Sequence, residues 1–319
     1  MPYTTHEWRF NILLLPWPEI VLPSQFWPSQ GNLRNMPPNF GLFSCNARRN
    51  RSIPVDRLRR VVARAESIVG KIDAVILPEL ALRGREHIEI CRQTGAIVVG
   101  GIGEAAQGGR SGRNAVAVAV PVGQEVVSWT QEKHHRWRID GAQIAQYGLG
   151  AELDPEMEWW EHVRSAPRQL RFWQFNGWLT MCVLICEDLA RQDPVTELVR
   201  AVGPNLVVCL LMDGPQLDVR WPARYATVLA DDPGSSVLTL TSLGMAMLSR
   251  PYGKPVSRVI GLWKDALSGR TVEISLGLGA AGVVLSLTRT YRKEWTADGR
   301  DDGGATGYLC LNGMREIEA

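Results

Sequence analysis

The chain has 319 residues, of which 45% are hydrophobic and 21% charged, and a formal net charge of +2 at pH 7. Those values suffice for a well-buried core and give no general electrostatic pull toward nucleic acid or an anionic membrane. Apolar runs fall short of the roughly 18 residues a membrane helix needs, and Met-Pro-Tyr-Thr-Thr-His-Glu lacks a basic region followed by an apolar one, so a cytoplasmic protein is expected.

Arg9 to Leu15 is expected to be a fully buried first strand, closed by Pro16 and Pro18. From about residue 17 to 54 the chain is rich in Pro, Asn, Gly and Ser, which predicts a long insertion without regular structure, suited to a lid or a partner-binding arm. Arg48, Arg49 and Arg51 form a short basic cluster in it, of a kind more often solvated than bound. Val55, Leu58, Val61, Val62, Ala65, Ile68 and Val69 have helical spacing, with Pro54 at the start and Gly70 at the stop. Asp73 to Glu79 follows as a short buried strand, then a helix from about Arg85 to Thr94 and a strand from Ala96 to Gly100. Asn114 to Val120 and Glu125 to Thr130 look like an antiparallel pair.

Pro155 to Val163, acidic and aromatic, is expected to be a helix or surface loop. Leu170 to Phe175 and Trp178 to Ile185, joined by Asn176-Gly177, give the clearest hairpin signal in the chain. Beyond it come a helix near 195–202, a strand at 205–212, a helix near 221–230, a strand at 235–241 and strands near 256–263, 271–274 and 282–287. Hairpins alternating with helix crossovers predict an α/β fold with mixed sheets in one domain spanning 1–319, with a variable tail from about residue 290. Gly277-Leu-Gly-Ala-Ala-Gly282 matches G-x-G-x-x-G, but a strand-like run follows it in place of a helix, so it is expected to be a hairpin turn. Gly101-Ile-Gly-Glu-Ala-Ala106 is rejected as a nucleotide loop because Gly108-Gly109 cut off any helix after it.

Three polar residues stand at or next to the ends of apolar strands: Glu79 in Ile-Leu-Pro-Glu, Lys133 in Trp-Thr-Gln-Glu-Lys-His-His, and Cys186 in Leu-Ile-Cys-Glu-Asp. Alone, Cys186 reads as a core cysteine, the commoner fate of a thiol in an apolar strand. Together the three supply what thiol-based acyl transfer needs: a base for the thiol proton, a fixed cation for the developing oxyanion, and the nucleophile. The six cysteines are scattered without Cys-x-x-Cys or a histidine at metal spacing, so neither a metal site nor a disulfide scaffold is expected. Cys182 shares a strand face with Cys186 and is assigned to packing. The twelve tryptophans, Trp129, Trp137, Trp159, Trp160, Trp173 and Trp178 among them, are assigned mainly to core and interface packing.

Pro78-Glu79, Lys133-x-His135 and Cys186-Glu-Asp188, in this order and spacing, resemble the nitrilase superfamily of carbon–nitrogen hydrolases, from the first strand to about Leu287. The ordered triple carries the resemblance. It implies an α-β-β-α sandwich with mixed sheets, pairing of subunits through helices into a homodimer or larger homo-oligomer, and hydrolysis of a small amide-like substrate or a nitrile without metal or organic cofactor, amides and N-carbamoyl compounds being favoured over nitriles. In residue terms it implies Glu79 as general base, Lys133 as electrostatic stabiliser, Cys186 as nucleophile and the backbone N–H of Glu187 as a second oxyanion donor. The family commonly has a second pocket glutamate after the lysine. Glu152, Glu156, Glu158 and Asp140 are candidates here, and Glu152 is the one chosen. Gln131-Glu132 ahead of the lysine depart from the aromatic or basic pair of many members, and His134 and His135 are expected to shape the loop. The run from Lys133 to Asp140 is also similar to nitrilase-like domains linked to bacterial defence reverse transcriptases, which implies a possible protein partner.

Overall fold

In the computed structural model, residues 8–31, 33, 35–47, 52–175, 177–250, 253, 255–293 and 305–318 are described. The first strand, Arg9–Leu14, shows how the layers arise. Its side chains alternate with the period of two that a strand imposes: Phe10, Ile12 and Leu14 join one buried cluster, while Leu13 joins another. Both faces are therefore covered, and the buried Asn11 meets this by donating its side-chain amide to Val69 O and Lys71 O.

That strand lies near the middle of a seven-stranded sheet, in the order Ala305–Glu318, Ala280–Lys293, Arg9–Leu14, Ala74–Ile76, Ile97–Glu104, Arg113–Val122 and Glu125–Glu132. Arg9–Leu14, Ala74–Ile76 and Ile97–Glu104 run parallel, and the flanking pairs are antiparallel. A six-stranded sheet repeats the scheme, with Leu179–Ile185, Leu206–Leu211 and Ser236–Thr241 parallel at its centre. Phe172–Phe175 pairs antiparallel on one side, Val259–Lys264 and Thr271–Ser275 on the other. Ile12, Ile76, Val99 and Val116 of the first sheet share one core with Met181, Val183, Val208 and Leu238 of the second.

Helices close the two outer faces. Val55–Val69 packs Leu58, Val61, Val62 and Ala65 against Leu13, Val75 and Val98 of the first sheet. Each such Leu or Val contributes about 1.5–3 kcal/mol when fully buried. Trp221–Asp231 places Ala223, Ala226 and Leu229 on the second sheet. The result is the expected α-β-β-α sandwich with mixed sheets.

Four expectations change. The Pro-rich stretch is not irregular throughout: Phe26–Pro28 and Phe40–Cys45 are strands of a third sheet, completed by Glu158–Glu161 and Arg138–Ile139. The same pairing makes 158–161 a strand in place of a helix or surface loop. Gly277–Gly282 is no hairpin turn, because Thr271–Ser275 and Ala280–Lys293, which it connects, belong to different sheets. Ala280–Lys293 and Ala305–Glu318 are long strands paired with each other, so the sheet continues well past Leu287. Arg48, Arg49, Arg51 and Asn176 lie outside the described residues.

Candidate active site

Glu79 follows Ala74–Ile76 in a segment bonded closely to the next strand: Leu77 N–H donates to Val99 O at 2.8 Å and Gly101 N–H to Pro78 O at 3.0 Å. The approach is so close that a Cβ at Gly101 would stand 2.5 Å from both Glu79 Cα and Leu80 N. The glycines of this strand thus leave room for the backbone that carries Glu79. Leu80 turns the chain away with φ 57°.

Lys133 directly follows Glu125–Glu132, and its N–H donates to Asn114 O at 2.8 Å. Cys186 follows Leu179–Ile185 with φ 47°. Left-handed backbone is costly for a residue with a Cβ and persists where the surroundings enforce it, often at functional sites. Cys186 is the first residue of the turn Cys186–Ala190, and Glu187 is the second, its carboxylate 3.6 Å from Arg191.

The Lys133 ammonium lies 2.8 Å from Glu79 Oε1 and 2.7 Å from Glu161 Oε2. Asn114 Nδ2 bridges the same two carboxylates, donating at 2.7 Å to Glu79 Oε1 and at 2.7 Å to Glu161 Oε1. Trp137 N–H adds a bond to Glu161 Oε2 at 3.1 Å. Glu79, Lys133, Glu161 and Cys186 are each no more than 3% exposed. Glu79 Oε2 is buried and without a hydrogen-bond partner among the described residues.

Burial raises the Glu79 carboxyl above its ordinary value; Lys133 pulls it back and Glu161 pushes it further up. Burial works against the Lys133 ammonium, yet Glu161 and Glu79 outweigh it, so this pKa stands well above normal. Burial also holds the Cys186 thiol well above its usual range, with Glu79 adding to the effect and Lys133 opposing it. At neutral pH the sulfur therefore rests as a thiol, and attack on a carbonyl requires a base at that moment.

Glu79, Lys133 and Cys186 each lie just past the end of a strand, and the structure brings the three side chains into one buried cluster. The choice of Glu152 is corrected. It lies in a turn, its N–H donating to Leu149 O at 2.9 Å, and the second acid at the lysine is Glu161. Asp140 caps the helix Gly141–Tyr147 by accepting from Gln143 N–H, Glu158 pairs with Arg138, and Glu156 is exposed. Glu161 was hidden because its stretch did not read as a strand; on a strand, Trp159 and Glu161 share the inward face. Asn114, also missed, is a polar head on the apolar run 115–119. Trp137 belongs to an aromatic wall, its ring 5.7 Å from Phe43 and 5.8 Å from Tyr147.

A cavity of about 320 Å³ is lined in part by Cys45, Leu80, Arg83, Glu104 and Gln107; Leu80 is the chain neighbour of Glu79, and none of Glu79, Lys133, Glu161 and Cys186 stands in its wall. Burial pushes the Cys45 thiol up, and Glu161 and Glu79 push it further. Among the described residues no group of three or more His, Cys, Asp or Glu side chains is arranged to hold a metal ion.

No family model matches the sequence, and neither does any curated protein. Solved structures do match. An amidase from Nesterenkonia sp. superposes with a TM-score of 0.50 at 12% identity, over 88% of this chain and 89% of that one. A cysteine-to-alanine variant of Nesterenkonia AN1 amidase, of the nitrilase superfamily, gives a TM-score of 0.50 at 14% identity, over 88% and 90% of the two chains. At such low identity the likeness is one of architecture, and in architecture this chain has the nitrilase-superfamily fold.

Proposed function

We propose that the chain hydrolyses a non-peptide carbon–nitrogen bond in a small amide or N-carbamoyl compound, through a thioester on Cys186. One observation carries this reading: beside Cys186, a buried lysine is shared by two carboxylates, and one of these, Glu79, keeps an oxygen without a hydrogen-bond partner among the described residues. Glu79 takes the thiol proton as sulfur attacks the carbonyl carbon. Lys133 and the Glu187 backbone N–H receive the oxyanion, in a buried site where fixed donors act more strongly than in bulk water. As the C–N bond breaks, Glu79 returns the proton to the departing nitrogen, and water then cleaves the thioester with Glu79 again as base. Glu161 and Asn114 hold the lysine and Glu79 in place.

The cavity beside Leu80 and Cys45, with Arg83, Glu104 and Gln107 at its wall, suits a small polar substrate. Incubation with a panel of amides and N-carbamoyl compounds, scored by ammonia release, tests the reading. Turnover by wild type and none by Cys186→Ala is expected; equal turnover by both would defeat it. Pairing of two copies is expected through the outer helices, where Leu198, Val202 and Val228 are 40–49% exposed. Sedimentation of wild type against Val202→Glu checks that.

A second reading has one observation in its favour, the near-complete closure of the four site residues. It makes the chain an interaction module acting with a partner such as a defence-associated reverse transcriptase, its triad idle or active only in the assembly. A thiol inert toward electrophiles in the isolated chain, combined with no turnover in the panel, would select it.

A further inference from the structure

Lys133 and Cys186 are each followed, two residues on, by one half of a buried contact. Asp188 Oδ1 accepts the His135 backbone N–H at 3.0 Å and lies 2.9 Å from His135 Nδ1, while Oδ2 accepts the His134 N–H at 3.3 Å. Asp188 is 1% exposed. A carboxylate only accepts, so Nδ1 of His135 is the protonated nitrogen and three donors converge on one side chain. His134 is anchored separately, its Nε2 lying 2.9 Å from Gln169 O.

These contacts join the segment that carries the ammonium to the one that carries the thiol just beyond their strands, which Gln131 Nε2 already ties together by donating to Val183 O at 2.9 Å. The strands that deliver them belong to different sheets, Glu125–Glu132 to one and Leu179–Ile185 to the other. Small shifts of one sheet against the other would open the distance between Lys133 and Cys186 unless something spans the gap. We propose that Asp188 and His135 form a positioning clamp that holds the Lys133 loop and the Cys186 turn in register for acyl transfer. The proposal rests on Cys186 and Lys133 being the reacting pair. Neither clamp residue has a role in moving protons to or from the substrate.

The test uses the full chain and two electrophiles. With 4-nitrophenyl acetate, sulfur attacks the carbonyl carbon, the thiol proton passes to Glu79, the C–S bond forms, the C–O bond breaks and 4-nitrophenolate leaves. That route passes through an oxyanion. With iodoacetamide, sulfur attacks the methylene carbon, the thiol proton is lost to base, the C–S bond forms and iodide leaves, with no oxyanion on the way. In Asp188→Asn, acylation is expected to fall about a hundredfold while alkylation stays within about threefold, since a displacement near 1 Å costs an oriented reaction roughly that much.

Equal losses in both reactions, or none in either, would overturn the clamp. His135→Gln, which keeps both backbone contacts, should show the same split at about tenfold, and it carries the comparison if Asp188→Asn does not fold. Hydrogen exchange at the amides of His134 and His135 reads the clamp without any acylation: about tenfold or greater acceleration in Asp188→Asn supports it, and unchanged protection refutes it. If wild type itself is not acylated, the nucleophile assignment fails while the exchange experiment still decides the clamp.

Discussion

Two buried ionic clusters lie at the same ends of the sheets, and they are built on opposite principles. Around Asp213, next to the strand Leu206–Leu211, every carboxylate oxygen is bonded: Oδ1 accepts from Tyr147 OH at 2.6 Å, Gly214 N–H at 2.7 Å and Arg220 at 2.9 Å, and Oδ2 from Trp221 Nε1 at 3.0 Å. One carboxylate faces one guanidinium. Around Lys133, two carboxylates share one ammonium, and Glu79 Oε2 has no hydrogen-bond partner among the described residues. A satisfied, balanced network fixes a loop against a helix; an unbalanced one with a free oxygen is costly to bury and stores the capacity to take a proton. The first cluster therefore reads as architecture and the second as chemistry.

That contrast can be broken by single substitutions. The largest effect belongs to Cys186→Ala and Cys186→Ser, which should abolish acyl transfer, by about 10⁴-fold or more, with the melting temperature unchanged. Lys133→Met comes next, because it removes the oxyanion donor and strands two carboxylates in a dry site. The expected losses are about 10²–10³ in acylation rate and about 3–5 kcal/mol in denaturant-unfolding stability.

Arg220→Ala strikes the balanced cluster. It should cost about 2–4 kcal/mol, yet leave acylation per folded molecule within about tenfold of wild type. A collapse of activity there would mean that Asp213 belongs to the reacting centre.

The smallest effect is a matter of sign. The folded-state pKa of Glu79 is raised by burial, so its protonated form favours folding at low pH and that contribution is lost as pH rises through the folded pKa. Glu79→Gln removes the titration, so its melting temperature should gain on wild type as pH increases while its acyl transfer is abolished. Wild-type acylation should in turn rise with pH through a value above the ordinary carboxylate range. A Glu79→Gln melting temperature that falls behind wild type with rising pH would place the proton elsewhere.

The positions of Glu79 and Cys186 were legible because each follows an apolar run whose burial is dictated locally, while Lys133 ends a strand of alternating exposure and was legible through its motif. Glu161 was not, since the strand Glu158–Glu161 exists through pairing with Phe40–Cys45, far away in the chain and inside a stretch whose prolines argued against any strand. The room that Gly101 leaves for the Glu79 backbone appears only when two strands lie side by side. Likewise Lys133-x-His135 and Cys186-x-Asp188 were visible as motifs, while the contact between His135 and Asp188 depends on how the two sheets stack. Local pattern specified the elements; the contacts between distant segments completed the site.

The central claim, that Glu79 activates Cys186 for attack on a carbonyl, is tested most directly by peptide mass spectrometry after timed exposure of wild type and Glu79→Gln to 4-nitrophenyl acetate. The account predicts an acetyl group on Cys186 in wild type and none in Glu79→Gln over the same interval, with both proteins folded. An acetyl group found on Cys45 in place of Cys186, or equal acetylation of Cys186 in both proteins, would contradict it.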